Sequence, residues 1–210
     1  MSMQGTRNPF VASEGVPFLV VLAASSVAAW HYFGIGAGLV PAGLFAYLFL
    51  IFRDPHRPVP AVPLGVVSPV DGRVVSITRV DSSILGAEAL SISIEVNSLG
   101  TYTARCPVEG KIMDLAAENG TDRAATDRPG LWVRTDESDD VVLCFRKHRF
   151  GLSPRAFIRY GERVGQGQRC AFLRLTGIAE VLVPGVARLQ VDEGQRVLAG
   201  SDVLAKLPPS

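Results

Sequence analysis

The chain has 210 residues, of which 48% are hydrophobic and 20% charged, and its formal net charge is +1 at pH 7. This length suits one soluble domain with a small additional segment. Residues 1–52 contain only two charged residues, Arg7 and Glu14, whereas basic and acidic residues are intermixed and nearly balanced in the remainder. Such a balance gives no footprint of nucleic-acid binding, so we expect no nucleic-acid partner.

Two apolar runs, Val16–Phe33 and Ile35–Phe52, contain 18 residues each and no Lys, Arg, Asp or Glu. As helices they would each be roughly 27 Å long, close to the hydrocarbon thickness of about 30 Å. Because Gly34 separates them, we predict a helical membrane hairpin over residues 1–52. A signal peptide fits poorly, since no basic segment leads directly into the first run and a second run follows at once. A shallow interfacial hairpin stays open, because Pro17 and Pro41 weaken the spans.

The basic residues around this hairpin predict its orientation. Arg7 precedes the first run and Arg53 and Arg57 follow the second, while the turn between them has no Lys or Arg. The positive-inside rule then places both termini and the soluble domain in the cytoplasm, at the inner membrane. The expected partner is therefore the phospholipid membrane.

Residues 53–65, which we call the collar, are rich in proline and should be extended. The segment after it, residues 66–210, contains short β-type runs and no long amphipathic helix. Leu90–Val96 alternates apolar and polar residues, which is typical of a half-buried strand. We predict a strand at Ala156–Tyr160 and another at Glu180–Val183, and a loop at Asn119–Gly130. The remaining predicted strands are Val66–Val67, Arg73–Thr78, Leu131–Arg134, Val141–Phe145, Cys170–Leu175, Leu189–Val191 and Val203–Lys206.

Two internal echoes indicate a repeated structure. Pro69–Val74 recurs as Pro107–Ile112, and Gly161–Gly167 recurs as Gly194–Gly200, each pairing a turn glycine with β-branched residues. Equivalent corners of this kind predict a mainly β, pseudo-symmetric domain of barrel-sandwich type after the hairpin. Since Glu109 occupies the place of Asp71 in the second copy, both are first interpreted as turn acids.

The three cysteines, Cys106, Cys144 and Cys170, lie far apart in the sequence and lack the spacing of a zinc site. We interpret them as reduced, packed thiols in a reducing compartment, and we expect no metal.

Several motifs in order resemble the short, membrane-bound form of the phosphatidylserine decarboxylase family. Two of these motifs are Phe52-Arg53-Asp54-Pro55 and Ser68-Pro69-Val70-Asp71-Gly72. The others are Glu14–Phe18 near the start, Arg105–Gly110, Asp127-Arg128, Gly151-Leu152 with Arg155, and the Gly-Glu-Arg-Val turn at Gly161–Val164.

The resemblance implies an enzyme that converts phosphatidylserine to phosphatidylethanolamine with a self-made pyruvoyl group. In the family this group forms when a serine hydroxyl attacks the backbone carbonyl of the glycine before it and the Gly-Ser bond breaks. A histidine base oriented by an aspartate assists the attack. The pyruvoyl carbonyl then forms a Schiff base with the substrate amine and accepts the electrons left by carbon dioxide.

This sequence departs from the family at two decisive positions. The family's Phe-Gly-Ser-Arg-Val-Asp-Val corresponds to Leu175–Val181, so Gly177 stands at the serine position. Its Val-His-Val-Asn-Arg corresponds to Thr101–Arg105, so Tyr102 stands at the histidine position. Of the implied catalytic triad only Asp71 remains. Glycine has no oxygen for the attack, and tyrosine, with a pKa near 10, is a poor base.

Three hypotheses follow. The first is a membrane-bound family member that cannot self-process, forms no pyruvoyl cofactor, and binds a phospholipid headgroup through Arg105 and Arg155 or modulates an active relative. The second is an active decarboxylase that uses unusual residues, with Thr176 as the substitute nucleophile. The third is a non-enzymatic membrane anchor or adaptor.

Overall fold

The computed structural model describes residues 11–12, 15–55, 57–82, 85, 87–97, 100–114, 130–148, 154–174 and 176–209. The chain forms two compact units. A helical unit contains Met1–His56 and Leu99–Tyr102, and a β unit contains Arg57–Ser98 and Thr103–Ser210.

The helical unit is the predicted hairpin. Helix α1 spans Val16–Phe33 and helix α2 spans Ile35–Phe52, so both predicted ranges are confirmed. Gly34 joins them in a left-handed conformation (φ 86°), which favours a residue without a Cβ. The two helices approach closely at Gly38, whose carbonyl accepts a hydrogen bond from the Ser26 hydroxyl at 3.0 Å.

The apolar side chains of this hairpin point outward. Phe33 is 81% exposed and Val40 76% exposed, and most neighbours in both helices are exposed too. An apolar surface of this extent suits lipid better than water. Both helices are long and apolar enough to cross a membrane.

The β unit is built from antiparallel strands, and no helix occurs among its described residues. An eight-stranded sheet has the order β13-β2-β3-β11-β7-β6-β5-β9, and two three-stranded sheets have the orders β1-β14-β12 and β4-β10-β8. The strands are β1 Gly65–Val67, β2 Gly72–Ser82, β3 Ala87–Val96, β4 Thr103–Arg105, β5 Gly110–Asp114, β6 Leu131–Arg134, β7 Asp140–His148, β8 Arg155–Ala156, β9 Arg163–Val164, β10 Arg169–Phe172, β11 Thr176–Pro184, β12 Arg188–Leu189, β13 Arg196–Val197 and β14 Val203–Lys206.

The two small sheets are copies of one another. In the first, Gly65 pairs with Lys206 and Val66 with Ala205; in the second, Thr103 pairs with Phe172 and Ala104 with Ala171. Both registers shift at the next position along the strand. The third strands match as well, since β12 pairs with β14 as β8 pairs with β10.

The corners predicted from the internal echoes are also equivalent. Gly72 of β2 pairs with Val197 of β13, and Gly110 of β5 pairs with Val164 of β9. Four glycines at these corners, Gly161, Gly167, Gly194 and Gly200, have φ between 73° and 85°. The predicted pseudo-symmetry and the mainly β fold class are therefore confirmed.

Strand limits differ from the predictions where the chain leaves a sheet. The strand predicted at Ala156–Tyr160 is only β8, because the chain turns away after Phe157 toward the Gly161 corner. The strand predicted at Glu180–Val183 is longer, because β11 pairs along its length with β3 and β7. Except for Gly130, the predicted loop at Asn119–Gly130 lies outside the described residues.

The core is made of branched aliphatic side chains on the inner faces of these sheets. As predicted, Leu90, Ile92, Ile94 and Val96 are buried on one face of β3. The opposite face contains a polar contact, because Ser91 donates a hydrogen bond to Glu180 on β11. Glu180 also lies 2.7 Å from Arg146 Nε, so its charge is neutralised where it is buried.

The cysteines are free thiols: Cys106 and Cys170 are buried and Cys144 is half-buried. A hydrogen bond with Cys170, together with burial, raises the pKa of Cys106 well above its ordinary value. Burial is also the main cause that raises the pKa of Cys144.

We therefore expect thiol reagents to modify the native protein slowly at neutral pH, because the reactive thiolate is suppressed at Cys106 and Cys144. Mass spectrometry after brief exposure to a maleimide should show Cys106 unmodified in the native chain. All three cysteines should be modified after unfolding. Rapid native labelling of Cys106 would contradict this packing.

Candidate functional site

Asp71 lies in the turn that precedes β2 and is only 4% exposed. Its carboxylate accepts two hydrogen bonds from the Arg57 guanidinium of the collar, one of them 2.8 Å between Nη2 and Oδ2. The backbone N–H of Ala199 donates a third, at 2.8 Å from Oδ1. Bidentate contacts of this type are among the strongest side-chain hydrogen bonds. In this structure the carboxylate therefore joins the collar to a corner of the β unit.

The equivalent position in the second copy lacks this arrangement. Glu109 occupies it and is exposed to solvent. A buried, paired acid is therefore not required by the turn itself, and the environment of Asp71 is specific to the first copy.

Gly177 lies near the start of β11, at the same end of the large sheet as Asp71. Its neighbour Ile178 pairs with Glu95 of β3, which in turn pairs with Arg73 of β2. Continuing this register by one residue aligns Gly177 with Gly72, two strand spacings away, or about 10 Å. The sheet thus brings the Asp71 turn and the Gly177 position to the same end of its strands.

The backbone does not require glycine at position 177. Its φ is not in the left-handed region, and an added Cβ would lie 3.3 Å from the Lys147 carbonyl oxygen and 3.5 Å from Lys147 Cβ. A small side chain would need a shift of only a few tenths of an ångström.

Strained backbone surrounds this position. Lys147, opposite Gly177 on β7, has φ 56°, and Arg174, three residues before it, has φ 52°. Left-handed conformations are uncommon for residues with a side chain, and they cluster at functional sites. Sequence patterns carried no signal for either residue, because both look like ordinary surface cations.

Thr176, the proposed substitute nucleophile, is buried. Its hydroxyl donates a hydrogen bond to the Leu173 carbonyl at 2.7 Å. A hydroxyl proton held by a peptide carbonyl is not aimed at a general base in this arrangement, and a base must reach that proton for activation.

The remaining site candidates fall into different environments. Tyr102 belongs to the helical unit, immediately before β4. Arg105 is 4% exposed, and its Nη1 donates a hydrogen bond to the Gly167 carbonyl at 3.1 Å. Its Cδ lies 2.8 Å from where a Cβ of Gly200 would be, so the arginine is packed into both corners. Arg155 is exposed on β8. Arg105 and Arg155 are thus not equally accessible to a ligand.

No group of three or more His, Cys, Asp or Glu side chains in the described part of the chain is placed to hold a metal ion.

Comparison with known proteins identifies the family. The chain is 30% identical over 208 residues to the phosphatidylserine decarboxylase proenzymes of Burkholderia ambifaria, Burkholderia cenocepacia and Burkholderia multivorans. Each alignment covers 95% of this chain and 97% of the relative. The chain belongs to the phosphatidylserine decarboxylase family. No family model matches the sequence.

Among solved structures, the chain is similar to the glucose permease IIA protein of Mycoplasma capricolum. The TM-score is 0.47 at 18% identity, and the match covers 68% of this chain and 94% of the other.

Membership of the decarboxylase family links the protein to phospholipid metabolism, and the two apolar helices indicate membrane association. The motif resemblance found in the sequence is confirmed at the level of the family.

The Arg57–Asp71 contact gives a stability prediction. Arg57→Ala should destabilise the β unit by about 3 kcal/mol, because it leaves a largely buried carboxylate without its cation. Asp71→Ala should have a similar effect. The double variant should cost clearly less than the sum, because neither charge is then left alone. Denaturant unfolding of the four proteins in detergent measures this coupling, with Arg79→Ala, from an exposed ion pair, as the control. Additive effects would show that the contact contributes little.

Proposed function

We propose that this protein is a membrane-associated member of the phosphatidylserine decarboxylase family that stays as one uncut chain and forms no pyruvoyl group. The observation that carries the proposal is Gly177, which offers only hydrogen where the family's chemistry starts from a serine oxygen. The residues at this position therefore do not fit the prosthetic group that the family implies.

The neighbouring residues support this interpretation. The buried Thr176 hydroxyl is bonded to a peptide carbonyl, and the Asp71 carboxylate is held by Arg57 and by the Ala199 amide. The base position is occupied by Tyr102. Tyr102 is thus a weak base, and the Thr176 hydroxyl and the Asp71 carboxylate already have hydrogen-bond partners.

We propose lipid binding or regulation as the remaining role, at the cytoplasmic membrane with the β unit in the cytoplasm. The arginines on either side of the hairpin support that orientation. Arg155 is exposed and available for an anionic headgroup, whereas Arg105 is packed and acts first as a structural residue. If the role is regulatory, we propose that the uncut chain forms a complex with an active relative of the same family and modulates it.

We expect the protein isolated from its own cells to have a single intact mass of about 22.4 kDa. It should show no carbonyl reactive towards amines or hydroxylamine, because position 177 is glycine and supplies no serine to become one. Carboxyl-labelled phosphatidylserine should release no carbon dioxide above the blank. Two fragments that divide near residues 175–177, or carbon dioxide release, would instead establish the active decarboxylase.

A second experiment tests the two position assignments. Gly177→Ser alone supplies a nucleophile without a base, and Tyr102→His alone supplies a base without a nucleophile, so both chains should stay intact. The double variant supplies both and should break before residue 177, as mass spectrometry would detect. The control is Gly177→Ala with Tyr102→His, which adds the Cβ but no oxygen. An intact double variant that still folds would contradict the assignments.

A further inference from the structure

One corner of the β unit presents arginine and aromatic side chains to solvent. We call it the basic corner and define it as Arg155–Arg163, from β8 to β9. Within it Tyr160 is 73% exposed and Phe157 37% exposed. Arg155 and Arg159 are exposed as well.

The pseudo-symmetry supplies an internal comparison for this surface. The equivalent segment is Arg188–Arg196, which we call the neutral corner, from β12 to β13. The two segments correspond residue for residue, because Ala156 and Leu189 pair with equivalent positions of β10 and β14. The ends also correspond, since Val164 and Val197 pair with Gly110 and Gly72.

The features that build the corner are shared by both copies. Ile158 and Val191 are equivalent and buried. The backbone N–H of Arg159 bonds to Glu162, and that of Asp192 bonds to Gln195 in the same way. Both copies therefore form the turn with the same buried residue and the same side-chain hydrogen bond.

The exposed residues differ between the copies. Where the basic corner has Phe157, Arg159 and Tyr160, the neutral corner has Gln190, Asp192 and Glu193. Three basic residues and one acidic residue give the basic corner a formal charge of +2, whereas two basic and two acidic residues give the neutral corner a formal charge of zero. The end arginines are shared, because Arg155 and Arg163 correspond to Arg188 and Arg196. The fold therefore does not require the other three side chains, Phe157, Arg159 and Tyr160, and their presence in one copy needs another explanation.

We propose that the basic corner binds the surface of an anionic phospholipid bilayer. Tyrosine is typical of membrane–water interfaces, where its ring is partly apolar and its hydroxyl is hydrated. Exposed arginines are attracted to anionic headgroups, each by a factor of about five. The guanidinium of Arg169, which is half-buried, lies 5.2 Å from the centre of the Phe157 ring and so places a further cation beside this corner.

Chain connectivity favours a membrane over a soluble partner. Arg57 begins the β unit only five residues after Phe52, the last residue of the apolar hairpin. A tether of this length holds the β unit near any bilayer that contains the hairpin, so even a weak headgroup attraction acts at high effective concentration. The inference rests on the membrane association stated above, but it does not depend on whether the chain is cut.

The test compares equivalent positions in the full-length chain. Tyr160→Cys and Glu193→Cys are each labelled with an environment-sensitive fluorophore, and the unsubstituted chain gives the background from the native cysteines. Each protein is reconstituted in nanodiscs of phosphatidylcholine alone or of phosphatidylcholine with phosphatidylglycerol. We expect a blue shift and a stronger emission at position 160 only with phosphatidylglycerol, weakened by salt, and no such change at position 193.

Charge reversal then tests the cause. Arg155→Glu with Arg159→Glu should lower the ratio of docked to undocked probe at position 160 by at least about tenfold. Arg188→Glu with Arg196→Glu makes the same change in total charge at the neutral corner and should have little effect on this ratio.

Three outcomes would overturn the proposal: an equal response at positions 160 and 193, a response at position 160 that needs no anionic lipid, and a response that is unchanged by reversal at the basic corner. None of these outcomes alters the intact-mass experiment, so a failure of docking is distinguishable from a failure of the proposed uncut state.

Discussion

Two backbone hydrogen bonds, one from each copy, join the first turns of the two copies in the β unit. The Val67 N–H donates to the Pro107 carbonyl at 2.8 Å, and the Arg105 N–H donates to the Pro69 carbonyl at 2.9 Å. Because the echoes align residue 67 with 105 and residue 69 with 107, each bond is the counterpart of the other. Together they hold the turns that carry Asp71 and Glu109 beside each other.

This duplication separates what the fold needs from what one copy has acquired. Both copies keep the corner glycines, the buried aliphatic residue and the side-chain bond that closes each turn. Only one copy buries its turn acid against an arginine, and only the other has aromatic side chains and a third arginine at its corner. The differences between copies are therefore the most informative features for function, since the shared features are explained by folding alone.

Much of this architecture could be predicted from the sequence. The helix limits were predicted correctly because charge is absent from two runs that end at Gly34 and at Arg53. The equivalent corners were predicted because their glycines and β-branched residues repeat. The family came from motif order, which periodicity could not supply, and the assignment of Tyr102 and Gly177 to the family's histidine and serine positions stays a prediction from the same motifs.

Other features could not be predicted from the sequence, and the reasons are physical. Two-residue strands such as β9 and β13 are too short to show a period. The partner of Asp71 lies 14 residues away across a run of prolines, so no local pattern connects it to Arg57. The left-handed conformations of Lys147 and Arg174 depend on tertiary packing, because neither residue type favours that conformation by itself.

The ordinary backbone conformation of Gly177 has an energetic consequence. A glycine within a strand has more freedom to lose on folding than alanine, which costs about 0.5–1 kcal/mol unless the geometry needs it. Here the φ angle does not need it, and the Lys147 carbonyl offsets only part of that cost by crowding a Cβ. The fold therefore tolerates at position 177 an entropic penalty that the backbone geometry there does not require.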